Sequence, residues 1–152
     1  MTPQQIALVQ TSFLTVQPIL DTAAGLFYDR LFELDPTLRP LFRTSRDQQT
    51  RMLAQALTIV VKSLDRLDAI RPAVEALGRR HVGYGVRDEH YETVGAALLW
   101  TLQEGLGSAF TPAVRDAWSA AYGWIAFTMQ RAAAPSALTD TALPPTFATA
   151  HV

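Results

Sequence analysis

The segment EALGRRHVGYGV, residues 75–86, is the most informative part of the chain. Its first half continues an apolar pattern with helical spacing, whose members are Ile70, Val74, Leu77 and His81. Gly83 and Gly85 favour the end of this helix, because glycine tolerates left-handed backbone geometry. An imidazole is therefore predicted on an apolar helical face. Such a histidine is either a hydrogen-bonded core residue or a metal ligand, a role for which histidine is the commonest side chain.

Two further polar side chains fall on apolar helical faces. Tyr28 belongs to the apolar stripe of an earlier helix, and Gln49 is in register with Leu53 one turn later. Each has an ordinary alternative, namely a core tyrosine for Tyr28 and a solvent-facing residue of the first turn for Gln49. An unpartnered polar group in a dry core costs about 1–3 kcal/mol. A shared cavity holding a polar ligand would account for Tyr28, Gln49 and His81 together.

The other two histidines are not predicted to take part in a site. His90 falls between Glu89 and Tyr91 in the first turn of a long helix, where a solvent-facing imidazole is expected. Asp88 is predicted to cap that helix. His151 lies near the end of the chain and is expected to have no functional role.

The rest of the chain predicts one all-α domain of six or seven helices. Apolar residues recur at helical spacing, and no segment alternates strictly with a period of two. Thr2, Asp35 and Thr111 each precede a proline, as at helix starts. We expect the domain to span residues 1–132. Residues 133–152 are rich in Pro, Ala and Thr, and are predicted to form a disordered tail.

The composition excludes several functions. With 49% hydrophobic residues the chain can build a core, and its net charge of −1 gives no reason to expect nucleic acid as a partner. The absence of cysteine excludes disulfides, thiolate metal sites and haem attached through Cys-x-x-Cys-His. The sequence shows neither a signal peptide nor an apolar run of about 18 residues. We therefore expect a cytoplasmic protein with no membrane partner.

The chain resembles the single-domain bacterial globins, especially those similar to the haem domain of flavohaemoglobins. The likeness extends from about Thr2 to Met129. Its most specific segments keep the order and spacing of the family: Gly25-Leu26-Phe27-Tyr28, Leu31-Phe32, Leu41-Phe42, Leu77-Gly78-Arg79-Arg80-His81, Tyr84-Gly85-Val86, His90-Tyr91, Val94-Gly95, Trp118 and Ala121-Tyr122-Gly123. The resemblance implies a globin fold whose helices sandwich a non-covalent haem b, that is, iron protoporphyrin IX.

The resemblance also implies a role for each matching residue. His81 takes the place of the proximal histidine that ligates the iron, with its other ring nitrogen donating to a backbone carbonyl. Tyr28 and Gln49 match the distal tyrosine and glutamine, and Leu53 matches the distal leucine above the iron. Further haem contacts are expected from Phe42, Leu77, Tyr84, Val86, Tyr91 and Val94, of which Phe42 wedges against the porphyrin and Tyr91 lies on the proximal side. Arg79 and Arg80 either reach a haem propionate or form a solvated helix face.

The implied function is reversible binding of oxygen, and of gases such as NO and CO, at a five-coordinate ferrous iron. Tyr28 and Gln49 would donate to the bound ligand and give high oxygen affinity. One alternative is a nitric oxide dioxygenase that uses the same two residues in catalysis. Another is a globin-shaped regulatory module without haem, in which His81 is an ordinary core residue. A monomer or weak dimer is expected.

Two departures from the family pattern affect these expectations. Flavohaemoglobins carry a flavin-containing reductase after the globin domain, whereas a short tail follows here, so reductive turnover is expected to need an external flavin reductase. Related globins place a glutamate in the last helix near the proximal histidine. Here no acidic residue occurs between Asp116 and Asp140. A strongly electron-donating proximal side is therefore not expected.

Overall fold

The computed structural model describes residues 1–134, and within them it contains six α-helices and no strand. Four short 3₁₀ segments connect some of these helices. The helices are α1 (Pro3–Val16), α2 (Leu20–Leu34), α3 (Arg46–Lys62), α4 (Leu67–Gly83), α5 (Asp88–Leu106) and α6 (Pro112–Ala133). The prediction of an all-α fold with six or seven helices is confirmed. The predicted tail lies almost wholly outside the described residues, and α6 continues one residue beyond the expected domain end.

The helix starts follow from local capping chemistry. Thr2 Oγ1 accepts from Gln5 N at 3.1 Å, and the Gln5 side chain accepts from Thr2 N at 3.0 Å. Asp35 and Thr111 also cap the elements that they precede, as predicted. Asp88 does not cap α5 but is its first residue. It still contributes negative charge near the positive end of the helix dipole.

Two hydrophobic clusters form the core. The larger one joins α1, α3, α5 and α6, and includes Val9, Leu102 and Trp118. It is fixed by a hydrogen bond in which Trp118 Nε1 donates to Ser12 Oγ at 2.9 Å. The second cluster lies between α2 and α5 and contains Phe27, Tyr28, Leu31, Leu38 and Ala97. Tyr28 is fully buried in this cluster.

Helix α4 packs chiefly against α6, with backbones in close approach at Gly78. A Cβ at Gly78 would lie 2.6 Å from Met129 Cα, so a larger residue cannot be accommodated without moving a helix. His81 is three residues further along α4. The close crossing therefore fixes where the helix presents His81.

None of the helices within residues 1–134 is both long and apolar enough to cross a lipid bilayer.

Candidate functional site

A largely apolar cavity lies among α2, α3, α4, α5 and α6. All eight residues that the sequence predicted as cofactor contacts line it: Phe42, Leu53, Leu77, His81, Tyr84, Val86, Tyr91 and Val94. Tyr28 and Gln49 do not line the cavity. They lie behind its wall, where the Tyr28 ring packs edge-to-face against Phe42 at a centroid distance of 5.6 Å.

The half-buried His81 presents its imidazole at the wall of this cavity. Its Nδ1 lies 2.8 Å from the carbonyl oxygen of Leu77, one turn earlier in α4. Because a carbonyl only accepts, this bond selects the tautomer with the proton on Nδ1. Nε2 is then the nitrogen suited to a metal. Tyr84 packs beside the imidazole, with the two ring centroids 5.7 Å apart.

Tyr28 is a polar residue directly behind the distal wall of the cavity. Its side chain is completely buried, and its hydroxyl donates to the backbone carbonyl oxygen of Gln49 at 3.3 Å. Burial raises the pKa of Tyr28 well above its usual value, and the charge of Arg46 only partly opposes this. The hydroxyl therefore remains a protonated donor at neutral pH.

Gln49 is buried, with 3% of its surface exposed, so the interior position is correct and the solvent-facing alternative is wrong. Its Nε2 has no hydrogen-bond partner. A buried donor without an acceptor is costly, and such exceptions call for an explanation. A haem-bound ligand would supply the missing acceptor. This orphaned amide and the imidazole of His81 show that the residues present fit a haem group.

The proximal side contains a tyrosine whose role the sequence did not reveal. Tyr122 of α6 lines the cavity, and its hydroxyl donates to the backbone carbonyl oxygen of Tyr91 at 2.6 Å. A Cβ at Gly95 would lie 2.9 Å from the ring of Tyr122, so glycine makes room for it. Burial raises the pKa values of Tyr122 and Tyr91. Tyr122 occurs in a family-specific segment, but periodicity could not reveal a contact between residues 31 positions apart.

The prediction that His90 faces solvent is wrong. The residue is only 5% exposed and lines the cavity. Its Nδ1 accepts a hydrogen bond from Arg87 N at 3.0 Å, because the imidazole folds back to cap the start of α5. His90 therefore has a local structural role.

The histidine and carboxylate side chains give no sign of a bare metal-ion site. Among residues 1–134, no three of them converge on a point where they could hold an ion. Of the two histidines at this cavity, His90 caps the start of α5, and a single remaining imidazole at an apolar wall suits a metal whose other ligands come from a macrocycle. The fold and the cavity thus define a helical protein of the haem-binding class.

The comparison with family models identifies the family directly. Residues 25–129 match the model described as Globin. The chain belongs to the globin family, and the fold class and the resemblance seen in the sequence are both confirmed. Membership of this family implies haem binding and haem-based binding of diatomic gases.

Curated relatives include flavohemoproteins. The chain is 36% identical to the flavohemoprotein of Bacillus subtilis over 124 residues, which cover 80% of this chain and 31% of the relative. It is also 36% identical to the flavohemoprotein of Bordetella parapertussis over 129 residues, covering 83% and 32%. The chain thus spans about a third of the length of these relatives.

Two solved structures are similar over nearly their whole length. One is a bacterial globin from Campylobacter jejuni, with a TM-score of 0.77 and 29% identity over 87% of this chain and 96% of that chain. The other is an engineered carbene transferase described as a putative nitric oxide dioxygenase from Rhodothermus marinus. It has a TM-score of 0.79 and 28% identity over 88% of this chain and 93% of that one.

Proposed function

We propose that the protein binds haem b non-covalently through His81 and reversibly binds oxygen, NO and CO with high affinity for oxygen. The observation that carries this proposal is the imidazole of His81 at an apolar cavity, with Nδ1 held by the carbonyl of Leu77. Haem, when bound, would supply an iron that can bind a diatomic ligand.

His81 acts as an oriented ligand. The hydrogen bond between Nδ1 and the carbonyl of Leu77 orients the ring, and in the neutral tautomer it leaves Nε2 as the nitrogen that would ligate the iron. The close approach of α4 to α6 at Gly78 holds the helix that carries the ring. Leu77, Val86 and Val94 line the cavity with apolar surface, which would limit the access of water to a bound haem.

Tyr28 and Gln49 lie directly behind the cavity wall, and their donors would turn towards the diatomic ligand. The bond from the Tyr28 hydroxyl to Gln49 O is long, so the hydroxyl loses little when it turns to a better acceptor. Gln49 Nε2 has no bond to give up. A hydrogen bond involving a charged group is worth about 1.5–3 kcal/mol, and about 1.4 kcal/mol corresponds to a factor of ten. Each donor is therefore expected to slow oxygen release by about ten- to a hundredfold.

A second candidate is a nitric oxide dioxygenase that works with an external flavin-containing reductase. It is favoured by the likeness to the flavohemoproteins and to a putative nitric oxide dioxygenase. In that case, Tyr28 and Gln49 hold the oxygen that reacts with NO to give nitrate. Both candidate functions use the same two donors. A measurement of catalytic turnover is therefore needed to distinguish the dioxygenase from the oxygen-binding protein.

Absorption spectra of the purified protein with one equivalent of haemin test the proposal. We expect a Soret band and distinct reduced, oxygenated and carbonmonoxy spectra, with slow oxygen release. No Soret band after haemin addition would favour a regulatory module without haem. Sustained conversion of NO and oxygen to nitrate, with NADH and a flavin reductase present, would favour the dioxygenase.

A further inference from the structure

The junction between α2 and α3 is held by two contacts that lie at different depths. The inner contact is the hydrogen bond from the Tyr28 hydroxyl to Gln49 O, at 3.3 Å. In the outer contact, one guanidinium nitrogen of Arg46, Nη2, donates to Gly25 O at 2.6 Å and to Asp29 Oδ1 at 2.8 Å. Both contacts join the same two helical turns.

The outer contact lies next to both of the turns that carry the distal donors, Tyr28 and Gln49. Arg46 is the first residue of α3, three positions before Gln49, and Asp29 directly follows Tyr28 in α2. The guanidinium carbon also lies 5.8 Å from the centroid of the Tyr28 ring. Arg46 therefore contacts the turn that carries one donor and begins the turn that carries the other.

The two contacts respond differently to a ligand. A tyrosine hydroxyl has a single proton, so Tyr28 cannot donate fully to Gln49 O and to a bound gas at once. When the hydroxyl turns to the ligand, the inner contact is lost. The bonds from Arg46 use neither Tyr28 nor Gln49, so they persist.

We propose that Arg46 is a positioning residue, which keeps the first turn of α3 in register with α2 when the Tyr28 hydroxyl moves from Gln49 O to a ligand. This role rests on the proposed function, because it concerns the donors assigned there. It is a role in alignment and not in stability. The Arg46 and Asp29 side chains are 42% and 64% exposed, and ion pairs at such exposure contribute little to folding.

The test is the infrared C–O stretching band of the carbonmonoxy protein, which reports the donors that surround the ligand. Arg46→Met keeps an unbranched apolar chain in place of the aliphatic part of the arginine and removes both bonds. We expect its band to broaden or split towards higher wavenumber, and oxygen release to become about three- to tenfold faster, as when one hydrogen bond is partly lost. Arg46→Lys, which retains a charged donor, should partly restore both properties.

Arg71→Met is the matched control. Arg71 also forms an exposed ion pair, with Asp68 at 3.3 Å, and it covers the ring of Trp124, but it lies on α4. The C–O stretching band and the oxygen release rate of Arg71→Met should equal those of the unsubstituted protein. If Arg46→Met behaves like Arg71→Met, the proposal is overturned.

Two further outcomes are informative. If Arg46→Met does not fold, Asp29→Ala serves in its place, because it removes one of the two bonds. Its C–O band should shift in the same direction. An unchanged band in Asp29→Ala also overturns the proposal. If the unsubstituted protein takes up no haem and gives no carbonmonoxy band, the proposed function itself fails, and the role of Arg46 fails with it.

Discussion

The two walls of the cavity differ in how completely their polar groups are bonded. On the proximal side, His81 Nδ1 and the Tyr122 hydroxyl are bonded to backbone carbonyls at 2.8 and 2.6 Å. On the distal side, the Tyr28 hydroxyl makes a bond of 3.3 Å, and Gln49 Nε2 makes none. The wall that would hold the metal is fixed by short bonds, whereas the wall that would meet the ligand retains unused donor capacity.

This difference indicates on which wall a bound ligand would gain the most hydrogen-bond energy. A donor that is already bonded well gains little from a new acceptor, but an unsatisfied buried donor gains the full bond. Substitutions on the distal wall are therefore expected to change ligand release, and substitutions on the proximal wall to change stability.

Tyr28→Phe should have the largest effect on the rate of oxygen release. It removes the hydroxyl but leaves the ring and its packing against Phe42. We expect oxygen release, measured by stopped-flow mixing with CO, to become about ten- to a hundredfold faster. Tyr122→Phe is the matched control on the other wall. An unchanged release rate for Tyr28→Phe would refute its role as a donor.

Gln49→Leu should change the rate of oxygen release less than Tyr28→Phe does. It should also make the haem-free protein more stable. An amide is a weaker donor than a tyrosine hydroxyl, and we expect oxygen release to become about tenfold faster, at the lower end of the range given above. The substitution also removes an unsatisfied buried amide, so the haem-free protein should gain about 1 kcal/mol in its free energy of unfolding. Urea unfolding measures this. A haem-free protein that is less stable would show that the amide has a partner in solution.

Alkaline pH should lower the free energy of unfolding through one tyrosine on each side of the cavity. Burial raises the pKa values of Tyr28 and Tyr122, so above pH of about 10 the unfolded chain loses protons that the folded protein retains. Their contribution is complete below that pH and is lost as the pH rises towards the folded-state values. Each tyrosine should contribute about 1.4 kcal/mol per pH unit to this loss. Urea unfolding at increasing pH measures it, and either Tyr→Phe variant should flatten the dependence.

Tyr122→Phe should have the smallest effect on the ligand. Its hydroxyl bond fixes α6 to the carbonyl of Tyr91. Losing that bond should lower the free energy of unfolding by about 1 kcal/mol and leave oxygen release within about twofold of the original rate. A tenfold change in release would show that the two walls are coupled.

The sequence was most informative where a signal was local or periodic. Helical spacing brought Leu77 and His81 to one face, and the proline-containing helix starts were correctly placed. The resemblance added Phe42, Val86 and the other cavity contacts, which no periodicity could connect. Their roles towards haem stay predictions.

The sequence was least informative where orientation depends on docking between helices or on a helix end. Whether Gln49 points inward is decided by how α3 packs against α2, which the sequence of α3 alone does not determine. His90 was misplaced because a side chain in the first turn can fold back onto the backbone, against the expectation from its charged neighbours. The absence of an acidic residue between Asp116 and Asp140 still predicts a weakly donating proximal side.

The absorption spectrum of His81→Gly, compared with that of His90→Gln, tests the central claim most directly. Both histidines lie at the same cavity, but only His81 is assigned to the iron. We predict that His81→Gly loses the five-coordinate ferrous spectrum, that added imidazole restores it, and that His90→Gln retains it. A His81→Gly protein with unchanged haem content and spectrum would contradict the account.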